Sequence, residues 1–133
     1  MKDQKSLFKA QEAVAPVVGK ATTTAIAIDR QGFEALTIVA TLGAGAYTSS
    51  LYYTPTLTES DDNSTYTAVA ADKYIGDLTA VKATIAANQV RTIGYIGDKR
   101  YVKFTFTVTG TLAADVTVGA MAILGYPHLA PVA

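Results

Sequence analysis

The hydrophobic pattern is sharpest between residues 101 and 109. Val102, Phe104, Phe106 and Val108 fall on one side, and Tyr101, Lys103, Thr105, Thr107 and Thr109 alternate with them on the other. A period of two marks a strand with one buried face. β-Branched and aromatic side chains suit that pleated surface. Just upstream, Gly97-Asp98 separates this run from another apolar stretch and carries turn chemistry. The pattern therefore predicts a hairpin with strands over 90–96 and 100–109. Val102, Phe104, Phe106 and Val108 are its expected inward residues.

Other segments follow the same grammar. Over 22–29, Ala25, Ala27 and Asp29 alternate with Thr24, Ile26 and Ile28, and Arg30-Gln31-Gly32 turns the chain. Residues 34–42 read as a second strand with an almost wholly apolar centre, which predicts cover on both faces, inside a sandwich or at an interface. Gly43-Ala44-Gly45-Ala46 lacks the lysine and further glycine of a phosphate loop and reads as a connector. A third strand over 50–54 is expected to stop at Pro55. The polar stretch 58–64 reads as a surface loop, residues 66–71 as a fourth strand and 74–77 as a turn. Residues 78–90 fit a helical stripe (Leu78, Val81, Ile85) or a strand (Val81, Ala83, Ile85), and the strand is preferred because its neighbours are strands. In a last strand over 115–124, Val116, Val118, Ala120 and Ala122 face one way, while Thr117, Gly119, Met121 and Ile123 face the other. Gly125-Tyr126-Pro127-His128 ends it.

Residues 1–20 do not alternate. Leu7, Ala10, Ala13 and Val14 would line a short helical turn that Pro16 ends, so the segment reads as an extended arm and not as a strand. The expected fold is all-β: an antiparallel β-sandwich, jelly-roll-like, of about eight strands. Its arm is 1–20, its sandwich 21–125 and its short C-terminal tail 126–133.

Composition narrows the classes. The chain has 133 residues, half of them apolar, enough for one domain with a real core. No apolar run is long enough to predict a transmembrane helix, and the first residues lack the apolar segment of a secretory signal. With no cysteine, disulfides, thiolate metal sites and cysteine nucleophiles are excluded, which suits synthesis in a reducing cytoplasm. Eleven basic and eleven acidic residues cancel, so neither nucleic acid nor a membrane is an expected partner. The charge is uneven. Lys2, Lys5, Lys9 and Lys20 outweigh Asp3 and Glu12 in the arm, whereas Glu59, Asp61, Asp62, Asp72 and Asp77 face only Lys73 in 56–80.

Little here points to chemistry. The single histidine, His128, cannot build a histidine metal cluster and has no serine or carboxylate placed near it by spacing. The acidic loop lacks the glycine bend and distal glutamate of a calcium loop. No catalytic, cofactor-binding or metal-binding residue is assigned, and no enzyme is expected. Asp98-Lys99-Arg100 reads as a charged turn tip. The tyrosines Tyr52, Tyr53, Tyr66, Tyr95 and Tyr101, all in expected strands, read as packing residues; clustered on one exposed face they would instead suit a sugar platform.

Three stretches carry a resemblance: Ile28-Asp29-Arg30-Gln31-Gly32-Phe33-Glu34, Gly94-Tyr95-Ile96-Gly97-Asp98-Lys99-Arg100-Tyr101-Val102-Lys103, and Gly125-Tyr126-Pro127-His128. Over residues 22–133 the chain resembles head decoration, or cement, proteins of tailed bacteriophages. The resemblance implies a non-enzymatic β-sandwich without cofactors, made in the bacterial host cytoplasm and carried on the outer capsid surface of the virion. It implies the major capsid protein and further copies of the chain, as homo-dimer or homo-trimer, as partners. The expected contact residues are Leu7, Phe8, Val14, Val17 and Val18 on the arm and Asp98, Lys99 and Arg100 on the turn. Alternatives are a carbohydrate-binding β-sandwich of a spike or host-contact module and a tail or connector subunit.

Overall fold

The computed structural model describes residues 4–129. In chain order its strands are β1 (Phe8–Gly19), β2 (Ile28–Asp29), β3 (Phe33–Leu42), β4 (Tyr52–Ser60), β5 (Thr67–Ala68), β6 (Tyr74–Ile75), β7 (Gln89–Tyr95), β8 (Tyr101–Thr109) and β9 (Val116–Pro127), with single 3-10 turns at Lys5–Leu7 and Ala71–Lys73. All pairings are antiparallel, in two sheets ordered β1-β9-β3-β7-β6 and β2-β8-β4-β5. Without the short β6, this is the two-sheet, eight-strand order of a jelly roll.

The alternation read in β8 and β9 is the alternation observed. Val102, Phe104 and Phe106 are buried from one sheet; Val116, Val118, Ala120, Ala122 and Leu124 are buried from the other. Between them the rings of Phe104 and Phe106 meet edge to face with centroids 5.2 Å apart, and Phe106 continues to Tyr53 at 6.1 Å. Offset and edge-on contacts are the favourable geometries for aromatic quadrupoles. Val108, at the end of the stripe, is only half-buried.

Several expectations are corrected. The stretch read as an arm is strand β1, paired along β9 from Phe8 opposite Gly125 to Gly19 opposite Val116. Register shifts between Glu12 and Val14 and between Val14 and Val17 break its period, and Pro16 falls in the second irregularity. Proline is tolerated there because bulges and edge strands leave ladder positions unpaired.

The hairpin expected at Gly97 is absent. β7 lies in one sheet and β8 in the other, so the turn carries the chain across the sandwich. Local turn chemistry does not distinguish the two outcomes. The strand expected over 22–29 shrinks to Ile28–Asp29. Ahead of it the Thr23 and Thr22 hydroxyls accept the Phe106 and Val108 N–H groups at 3.0 and 3.1 Å, doing with side chains what a ladder does with backbone.

β4 runs through Pro55 and takes Thr58, Glu59 and Ser60 from the expected loop. The Tyr53 and Leu57 carbonyls accept from Val81 and Val69 on the side away from β8. Pro55, between them, therefore lacks its donor only on that outer edge. The strand expected over 66–71 is Thr67–Ala68 alone, and part of the turn expected over 74–77 is β6. Residues 78–88 are neither helix nor strand; Val81 bridges to Tyr53 and Ile85 to Gly45 as single residues. The tail reading of 126–133 begins inside β9, and residues 130–133 lie outside the described residues.

Candidate functional site

One end of the sandwich gathers the β2–β3 turn, the β4–β5 loop, the β7–β8 turn and the end of β9. The three stretches singled out by sequence meet there. They line a shallow cleft of about 330 Å³ with Arg30, Gln31, Gly32, Phe33, Asp98, Lys99, Arg100 and His128 on its walls.

Arg30 organises this rim. Its guanidinium donates to the Lys99 carbonyl at 2.6 Å, the Gly97 carbonyl at 3.3 Å and the Glu34 carbonyl at 3.2 Å. It lies over the Tyr95 ring, 4.8 Å from the centroid, a cation–π arrangement. Its Nε is buried without a partner. Tyr95 folds back along its own turn. Its hydroxyl accepts the Lys99 N–H at 3.1 Å and donates to the Glu59 carboxylate, and burial pushes its pKa up. The ring fills the space where a side chain on residue 97 would go: a Cβ there would lie 2.4 Å from the Tyr95 hydroxyl oxygen. Gly97 is thus required for close approach, not for the hairpin that the sequence suggested.

The charged tip is tied inward. Arg100 makes a two-point contact with Asp29, Nε to Oδ1 at 2.9 Å and Nη2 to Oδ2 at 2.8 Å, and donates to Gln31. This fork geometry is the strong form of the pair, and it lowers the Asp29 pKa. Lys99 reaches Asp61 at 2.6 Å, so the turn and the acidic loop, read as separate surfaces, are one. Asp98 stands exposed at the tip. The His128 backbone N–H donates to the Gly32 carbonyl at 2.8 Å, and its exposed ring lies 3.6 Å from Glu34.

Asp62 caps its own loop. It accepts from the Thr65 and Ser64 N–H groups and the Ser60 hydroxyl, and these bonds lower its pKa to about 2. Among the described residues no group of three or more acidic or histidine side chains is placed to hold a metal.

The β1 contact residues scatter. Val14 is 1% exposed and belongs to the core. Leu7 and Phe8 sit at the rim end, where with Gln4, Gly125, Tyr126 and Pro127 they line a second groove of about 430 Å³. Val17 and Val18 are exposed at the far end of the strand. Sequence reasoning named Asp98, Lys99 and Arg100 but missed Arg30 and Tyr95, which hold them. The signal available was their membership of two of the three resembling stretches.

The sandwich has two outward faces. On β4 and β8, outward-pointing Thr54, Thr56 and Thr58 stand opposite Thr107, Thr105 and Lys103. Tyr52 closes this face at one end under Lys82, and Tyr66 and Tyr101 at the other under Lys103 and Arg100. On the opposite face, Val39 and Met121 pair across β3 and β9, and a groove of about 400 Å³ runs between Pro16 and Ile123.

No family model matches the chain, and no curated protein is similar to it in sequence. Solved structures resemble it to different degrees. A chain in the structure of the infectious bursal disease virus Gx strain matches 93% of this chain with a TM-score of 0.52 at 14% identity, and this chain spans 34% of that one. A chain from a study of Bacillus endospore appendages, a family of disulfide-linked pili, is 16% identical over 91% of this chain and 89% of its own, with a TM-score of 0.39. The Clostridium thermocellum endo-1,4-β-D-xylanase 10B modules, solved with xylohexaose, are 8% identical over 96% of this chain and 28% of theirs, with a TM-score of 0.42.

Proposed function

We propose that the protein is a non-enzymatic virion component that binds the outer surface of a bacteriophage capsid and stabilises it, as a decoration or cement protein. One observation carries the reading: the three stretches that resemble such proteins converge on one rim, cross-tied by Arg30, Tyr95 and the Arg100–Asp29 pair. A rim whose tips are already fixed loses little entropy on docking. Its exposed side chains, Asp98, Glu34 and His128, are then the contacts available to a major capsid protein. Repetition over a shell makes weak contacts collectively strong. Neither nucleic acid nor a membrane is a partner in this reading, and the place of action is the virion surface after synthesis in the host cytoplasm.

The test is co-sedimentation of the purified protein with expanded capsids that lack it, together with the temperature at which those particles break open. Binding and a raised breakage temperature are expected, both diminished by the double variant Glu34→Lys, Asp98→Lys. Absence of binding to any such capsid overturns the reading.

A second reading, a carbohydrate-binding module, is favoured by the half-buried trio Tyr52, Tyr66 and Tyr101 flanking a hydroxyl-bearing face. Aromatic rings stack on sugar faces, and hydroxyls pair with hydroxyls. Binding to host surface polysaccharide that is lost in Tyr101→Ala, with capsid binding absent, would establish it instead.

A further inference from the structure

We propose that the outer face of the sheet β1-β9-β3-β7 is where a second copy of this chain docks, the two copies packing face to face about a two-fold axis. Antiparallel sheets with one face in water carry polar side chains on that face. On this sheet the outward polar side chains of β9, β3 and β7 are threonines alone, Thr37, Thr41, Thr92 and Thr117. The outward positions of β9, β3 and β7 are the alternating residues from Thr117 to Gly125, from Phe33 to Thr41 and from Val90 to Gly94, and none is charged. Met121 is 49% exposed and Val90 65% exposed, and Val39 and Ile123 complete the apolar stripe. Glu12 on β1, opposite Met121, is the charge at its border.

The occupant follows from area, shape and charge. Four strands about 4.8 Å apart, with nine residues rising about 3.4 Å each, present roughly 600 Å². Two such faces bury about 1,200 Å² together, the lower bound for a specific complex. Depressions and projections lie on the same face. Gly119, Gly94 and Gly125 leave it low beside Met121 and Val39, and Pro16 walls the groove over Gly119. A contact between two copies of one patch needs that self-complementarity. A partner chosen by charge would find only Glu12 at the β1 border to read, whereas the uncharged positions of β9, β3 and β7 meet their copies without like-charge opposition. Sheets stack face to face at about 10 Å in sandwiches, so the dimer is a four-layer β structure. The proposal does not rest on capsid binding, because the contact forms between free copies.

Sedimentation equilibrium of the full chain across about 1–100 μM, without capsids, tests it; the range brackets affinities accessible to a small interface. A monomer–dimer equilibrium is expected. Met121→Lys and Val39→Lys should each weaken it at least about tenfold, since an unpaired buried charge is costly, while Thr56→Lys on the opposite face leaves it unchanged. All three positions are at the surface, and far-ultraviolet dichroism checks that each variant is folded; Val90→Lys, nearer the border, serves if one is not. A chain that stays monomeric at 100 μM, a trimer, or a dimer that survives the lysines overturns the proposal. Capsid binding is read separately, so its failure leaves this result standing, and the reverse.

Discussion

The outward faces of β4 and β8 on one side, and of β3 and β9 on the other, are built on strands of nine to twelve residues paired in regular antiparallel register. On β4 and β8 the outward side chains are threonine, tyrosine and lysine. Thr56 donates to the Thr105 carbonyl at 3.2 Å and touches the Thr107 hydroxyl at 3.3 Å, so the face organises its own hydroxyls and meets water with them. On β3 and β9 the same positions hold alanine, valine, methionine, isoleucine, phenylalanine and glycine beside three threonines, and no charge. The inward sides are both apolar, aromatic-rich on β4 and β8 and aliphatic with alanines on β3 and β9. A period of two therefore tells which side is core. The composition of the other side tells what the sheet meets beyond the core.

Removing residues 1–19 is the harshest way to break the comparison. It strips β1 from β9 and uncovers the row of Ala120, Ala122 and Leu124 that it helps to cover. The expected result is loss of the cooperative unfolding transition, followed by dichroism during heating. A truncated chain that still melts sharply would make β1 dispensable, as the reading of a free arm implied.

Phe104 and Leu124 lie under the two faces, on β8 and β9, and both are fully buried. Phe104→Ala should cost about 3–5 kcal/mol and Leu124→Ala about 2–5 kcal/mol in denaturant titration. Both variants should unfold in a single transition, since the sheets share one core. Two separated transitions would show sheets that melt independently.

Alkaline titration probes the tyrosines beneath the faces. Burial raises the pKa of Tyr47 to about 12 and pushes Tyr53 and Tyr95 upward. The folded state thus holds protons that the unfolded state releases near the ordinary tyrosine value of 10.0. This contribution to stability is intact below that pH and declines as pH rises through about 12. Tyrosinate absorbance should accordingly appear for these residues only together with unfolding. Their reversible ionisation in a chain that keeps its dichroism would contradict the burial.

Thr56→Val should change the unfolding free energy least, within about 0.5 kcal/mol. A larger loss would mean that the threonine face is a structural network and not a solvent surface.

The sequence showed most where side chains alternate without interruption. β8 and β9 were legible for that reason, and with them the inward face and the sandwich, while β3 was legible as an apolar run and β7 as the apolar stretch before the Gly97 turn. β1 was hidden because two irregularities destroy its period and Pro16 imitates a helix stop. The crossing at Gly97 was hidden because Gly-Asp serves a hairpin and a crossing turn alike. The crossing turn is held from far away in the chain, with Arg30 reaching the Gly97 and Lys99 carbonyls over 67 and 69 residues. Of the candidate site, Asp98, Lys99 and Arg100 were found as a local charge cluster. Their partners Asp29 and Asp61 were not, because pairing between loops is a property of the jelly-roll order and of no single segment.

The threonine plug on β8 bears on what happens when many copies crowd together. A strand edge normally invites another chain to hydrogen-bond to it, and the invitation passes on to each newcomer. Here the Phe106 and Val108 amides are answered by the hydroxyls of Thr23 and Thr22. A hydroxyl that has accepted those bonds presents no next row of amides and carbonyls in register. Along this stretch of β8, copies held close together at high local concentration therefore find no free amides to pair with.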